Sequence, residues 1–109
     1  MKGDKFYCIH ILECIDKIYE YIKGMDRNDF LSSALTQDAV ARNLQVLAES
    51  TQRLSTEFKQ QHTEIEWHSI AGLRNILVHD YLGIDFDTVW IVVKHNLSEL
   101  RKTVNTLVK

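Results

Sequence analysis

Apolar residues recur at intervals of three and four in four separate stretches, and no proline interrupts any of them. That period gathers side chains on one face of an α-helix, whereas a half-buried strand alternates every two residues. The first stripe is Phe6, Ile9, Leu12, Ile15, Tyr19 and Ile22, on a helix running to about Lys23 with Gly24 as its stop. GMDRNDFLSS then reads as a connection or a single turn, after which Ser33 or Thr36 can cap a long second helix. Its stripe is Val40, Leu44, Leu47, Thr51, Leu54 and Phe58, and its opposite face carries Arg42, Gln45, Glu49, Gln52 and Lys59. The segment KQQHTEIEWHS breaks the pattern and reads as a loop. A third helix begins near Trp67 and carries Ile70, Leu73, Ile76 and Leu77 to about Leu82, where Gly83 interrupts it. Asp85 or Asp87 can cap the fourth, with Val89, Val93, Leu97, Leu100, Val104 and Leu107 in line. Ile91 and Val92 are β-branched and suit a strand, but a stripe continuing for over a dozen more residues favours helix. The expected fold is all-α, a compact antiparallel bundle of four main helices forming a single domain over residues 1–109.

Charge narrows the function. With 15 acidic and 13 basic residues the chain carries −2, so it is not expected to coat nucleic acid or an anionic membrane by bulk electrostatics. A local basic pocket is compatible with that balance. Asp4, His10, Glu13, Asp16, Lys17 and Glu20 interrupt the apolar residues of the first helix, so neither a signal peptide nor a membrane span is expected there, and the expected location is the cytoplasm. Cys8 and Cys14 lack zinc-site spacing and read as buried thiols. His10, His62, His68 and His95 form no cluster in sequence, so no metal or other cofactor is expected. Trp67 and Trp90 suit core packing better than stacking on bases.

The string RNILVHDY, from Arg74 to Tyr81, stands apart because it puts four functional groups into packing surface. At ~100° per residue, Arg74 and His79 point ~140° apart on one helix, while Tyr81 returns to within ~20° of Arg74. Each residue has an ordinary use. Arg74 suits a solvated position or a structural ion pair, His79 a helix C-terminus, and Tyr81 packing with its hydroxyl at the rim. Asp80 near a helix C-terminus is electrostatically misplaced. As a set they suit phosphodiester chemistry on RNA: a histidine moves protons near neutral pH, and an arginine fork holds the phosphate. One arginine and one histidine do not provide a separate acid and base, so two copies of the segment in a twofold dimer are the economical arrangement.

The chain resembles the HEPN superfamily and, within it, the HepT-like toxins. The superfamily signature is an arginine, four to six residues and a histidine, matched by Arg74, Asn75, Ile76, Leu77, Val78 and His79; the HepT-like extension adds one residue and a tyrosine, matched by Asp80 and Tyr81. Further similarity lies in DAVARNLQVLAES from Asp38 to Ser50, in EWHSIAGLRNILVHDYLGID from Glu66 to Asp85, and in Val89 and Trp90. The resemblance implies a metal-independent endoribonuclease toxin with Arg74 and His79 as its catalytic pair and Asn75 and Asp80 as supporting residues. It also implies a homodimer cutting RNA in a shared groove. The implied partner is a minimal nucleotidyltransferase antitoxin that uses ATP to add AMP to Tyr81. Ala48 replaces the glycine of many relatives before the position of Glu49. The alternative is a non-catalytic module that binds nucleotide or RNA, or serves as an adaptor. Arg42 and Glu49 share a helix face and suit the border of the groove, a solvated face or an ion pair, and Asp38 suits the first turn of its helix.

Overall fold

The computed structural model describes residues 3–77 and 83–108, and all regular structure among them is helical. The order is α1 (Asp4–Tyr21), α2 (Arg27–Leu31), α3 (Ala34–Gln52), α4 (Thr56–Gln61), α5 (Trp67–Leu77), α6 (Phe86–His95) and α7 (Leu97–Val108). The four expected stripes fall on α1, on α3 and α4 together, on α5 and on the α6–α7 pair. α1 lies between α3 and α7, and α5 packs on the other side of α3. The start of α1 meets the end of α3, as antiparallel neighbours require: Asp4 accepts from the Ser55 backbone N–H at 2.8 Å and from its hydroxyl at 2.7 Å. No helix among the described residues is long and apolar enough to cross a membrane.

Three details depart from the periodic reading. On α1 the core face is Cys8, Ile11, Ile15 and Ile18, continued by Ile22 just past its end, all buried, whereas Phe6 and Ile9 are 36% and 39% exposed. A helix packed on two sides carries more than one apolar row, and the row through Ile9 is the outer one. The second stripe is also not one helix. α3 ends at Gln52, and Ser55, accepting from the Phe58 N–H at 3.0 Å, opens α4. Leu54 and Phe58 are buried, so apolar spacing runs across a break that only the serine marks. The fourth stripe breaks at Asn96, whose N–H still bonds to the Val92 carbonyl at 2.9 Å. Asparagine is a poor helix residue, and the stripe continues through Leu97 and Leu100 because both are buried against the same core.

Local chemistry sets the ends. Ser33 caps α3 by accepting from Thr36 N–H at 3.2 Å, and Asp85 caps α6 through Thr88 N–H at 3.2 Å. Asp38 falls in the second turn of α3 rather than the first, because the helix begins at Ala34. Gly24 takes a φ of +79° after α1, a conformation that glycine adopts without a Cβ penalty. The GMDRNDFLSS stretch holds α2, opened by a capping box in which Asp26 and Asp29 accept from one another's backbone N–H at 2.8 and 3.1 Å. α2 inserts the fully buried Phe30 between Trp90 at 5.2 Å and Phe86 at 6.1 Å, ring centre to ring centre. An Arg27–Asp87 ion pair ties the same two segments at the surface.

Both cysteines are buried free thiols. Burial, reinforced by the Asp4 carboxylate, pushes the Cys8 thiol up to about 11, and burial also raises Cys14. Almost no thiolate is present at neutral pH. Native protein is therefore expected to resist iodoacetamide at pH 7.4 while denatured protein takes up two equivalents. Fast native labelling at either cysteine would contradict this packing.

Candidate functional site

α5 divides the surface around it into two clefts. Its apolar residues Ile70, Leu73 and Leu77 are buried, which leaves Ala71, Arg74 and Asn75 along the flank facing α3. There they meet Gln45, Glu49 and Gln52 in a cleft of about 390 Å³. The three α3 residues are spaced i, i+4 and i+7, so one helix row supplies the whole opposite wall. Arg74 is exposed, and its Nη1 donates to Gln52 Oε1 at 3.1 Å. Among the described residues this is its one side-chain hydrogen bond, and it takes part in no ion pair there, which leaves most of the donors of the guanidinium fork without a partner among those residues. Asn75 is exposed on the same wall.

The flank of α5 facing α6 and α7 forms the second cleft, about 380 Å³, with Leu73 and Val92 in its floor and His95 and Asn96 at the helix break. Glu64, Glu66 and Glu99 line it. The Glu64 carboxyl is held below the usual carboxylate range by its own backbone N–H, by the Thr103 hydroxyl at 3.1 Å and by neighbouring His62. Three carboxylates without an arginine or lysine repel a phosphate chain. A third depression, near Lys23 and Lys94, carries no histidine or carboxylate to move a proton at neutral pH. Among the described residues, no three histidine, cysteine or carboxylate side chains converge to hold a metal.

Of the residues singled out in the sequence, Arg74 and Asn75 stand together in the α3–α5 cleft, and Glu49 borders it. Arg42 is exposed on α3 and is not part of its lining. His79, Asp80 and Tyr81 lie outside the described residues. Trp90 is buried in the core; Trp67 is half-buried, its indole N–H donating to the Lys59 and His62 carbonyls at 3.2 and 3.0 Å, so both serve packing. Sequence reasoning did not place Gln45 or Gln52 at the site. Their position on the polar face of α3, in one row with Glu49, was the available signal.

The profile of the family described as Ribonuclease HepT-like matches residues 11–107. The chain belongs to the Ribonuclease HepT-like family. Its relatives include a protein of Caldanaerobacter subterraneus named "Putative RNase", 30% identical over 109 residues that cover all of this chain and 97% of that one. A "Probable ribonuclease HepT" of Thermococcus cleftensis is 34% identical, with 92% of this chain and 91% of the relative covered. A "Gamma-glutamylcyclotransferase and putative RNase" of Methanocaldococcus jannaschii is 37% identical over 94% of this chain, which spans only 46% of that relative. No solved structure matches the chain significantly. As a HepT-like family member the chain is an enzyme of the ribonuclease class.

Proposed function

We propose that the chain is one HEPN-like unit acting in the cytoplasm as the endoribonuclease toxin of a toxin–antitoxin pair, and that it cuts RNA without a metal. The observation that carries this reading is Arg74, exposed in a cleft between α3 and α5 in a chain of a ribonuclease family. Arg74 holds the scissile phosphate and stabilises its trigonal-bipyramidal form. His79 takes the proton of the adjacent 2′-hydroxyl as that oxygen bonds to phosphorus. The P–O5′ bond then breaks, and the leaving oxygen is protonated. The products are a 2′,3′-cyclic phosphate and a free 5′-hydroxyl. The acid and base come from two copies of His79 in a homodimer, with Asn75 and Asp80 shaping the site. Tyr81 is the residue that a minimal nucleotidyltransferase partner modifies with AMP from ATP, adding a bulky anion that competes for the phosphate centre.

The test is cleavage of single-stranded RNA in excess EDTA, with the termini identified by mass spectrometry before and after incubation with the partner enzyme and ATP. Cyclic-phosphate ends, lost once AMP is mapped to Tyr81, are the expected result. A requirement for added magnesium would reject the chemistry. Neutralisation of a Tyr81→Phe variant as efficient as that of wild type would reject the regulatory step.

A further inference from the structure

The polar groups beside Arg74 are more numerous than phosphate binding requires, and one carries the wrong charge for it. Gln52 is joined to Arg74, but Gln45, Glu49 and Asn75 make no side-chain hydrogen bond or ion pair among the described residues. Glu49 stands in the middle of the α3 row, facing the same cleft as the arginine. A carboxylate there repels the phosphate that Arg74 attracts, so its presence has to be offset by another part of the ligand. An ionised carboxylate only accepts hydrogen bonds, and that part must therefore bring donors.

Single-stranded RNA offers such donors on its bases, which are read along their Watson–Crick edges when unstacked. Guanine is the one standard base with two adjacent donors on that edge, N1–H and N2–H, matching the two oxygens of a carboxylate. Adenine and cytosine place an acceptor nitrogen beside their amino group, facing a carboxylate with like polarity. Uracil offers a single N–H between two carbonyls. The amides of Gln45 and Gln52 flank Glu49 on the same row, so one can donate to guanine O6 and the other to N3 on the far side of the N2 amino group. Gln45 and Gln52 are seven residues apart, about 10 Å along the helix, and the cleft of about 390 Å³ falls within the range of small-ligand sites.

We infer that the α3 row Gln45–Glu49–Gln52 is a guanine-reading wall, which selects RNA with a guanine next to the phosphate held by Arg74. This deepens the ribonuclease proposal and rests on it. Glu49 is the specificity-determining residue, and Gln52 in addition positions the guanidinium.

The test is sequencing of the cut ends from a randomised single-stranded RNA pool, using full-length wild type and Glu49→Gln, an exposed near-isosteric change. Wild type is expected to favour junctions flanked by guanine on the order of tenfold or more, the discrimination typical of a bidentate base contact. Glu49→Gln should flatten that preference, and a circular dichroism melt checks its fold. A wild-type profile indifferent to base, as expected if Glu49 instead held a ribose hydroxyl, overturns the inference. So does a guanine preference that Glu49→Gln leaves intact. Equilibrium dialysis with the four nucleoside 3′-monophosphates separates this from the activity itself. If wild type leaves the pool uncut, the ribonuclease proposal fails on its own. Tighter binding of guanosine 3′-monophosphate that depends on Glu49 then still supports the wall, and equal binding of all four rejects it.

Discussion

Arg74→Ala is expected to lower RNA cleavage by about a hundred- to a thousandfold, the usual effect of deleting one preorganised donor to the transition state. Its thermal melt should scarcely move. Arg74 is exposed, and its side chain makes one hydrogen bond among the described residues, to Gln52, itself an exposed residue. Surface changes of this sort fall within about 0.5 kcal/mol of neutral. Arg74→Lys should recover only part of the lost rate, because an ammonium supplies the charge but not the planar fork. Cleavage rates on a defined oligoribonucleotide, read beside the melts, decide the matter. Undiminished cleavage by Arg74→Ala would remove the residue from the mechanism, whereas a lost melt would make its role structural.

Phe30→Ala is expected to have the converse signature, a stability loss of about 3–5 kcal/mol measured by urea denaturation. Its ring is fully buried, stacked on Trp90 at 5.2 Å and met edge-on by Phe86 at 6.1 Å. Loss on that scale is a large fraction of the roughly 5–15 kcal/mol that holds an ordinary domain folded. The ring also gives α2, a helix of only five residues, its fully buried anchor. Phe30→Leu should cost clearly less, since it retains most of the buried surface. A change under about 1 kcal/mol for Phe30→Ala would mean that α2 does not dock on α6 in solution.

The helical character of the chain was legible because Val40, Leu44, Leu47 and Thr51 on α3, and Leu97, Leu100 and Val104 on α7, really are buried in the period that the sequence shows. The breaks were less legible, because burial and backbone continuity are separate properties. Leu54 and Phe58 keep the apolar rhythm while Ser55 ends one helix and starts another. Phe30 illustrates the opposite failure. It is one aromatic residue inside a polar stretch, with no periodic neighbours, and only its contacts with Phe86 and Trp90 reveal it as core. At the site, Arg74 and Asn75 were found through a short string, since neighbours in sequence advertise themselves. Gln45, Glu49 and Gln52 lie more than twenty positions earlier and join them only because α3 packs beside α5. His79, Asp80 and Tyr81 remain readings of the sequence.

The placement of α1 between α3 and α7 has a consequence for how the molecule comes into being. Synthesis proceeds at roughly 5–20 residues per second, and α1 precedes both of the helices that cover it. Its contact with α3 becomes available once Ser55 can reach back to Asp4, closing a long loop. Its other side stays uncovered until α7 has been made and Arg101 can meet Asp16 at 2.8 Å. Ile11, Ile15 and Ile18, fully buried at the end, therefore reach that burial only once α7 has been made. The helix that most of the bundle is built around is thus the one whose burial is completed last, although it precedes both helices that cover it.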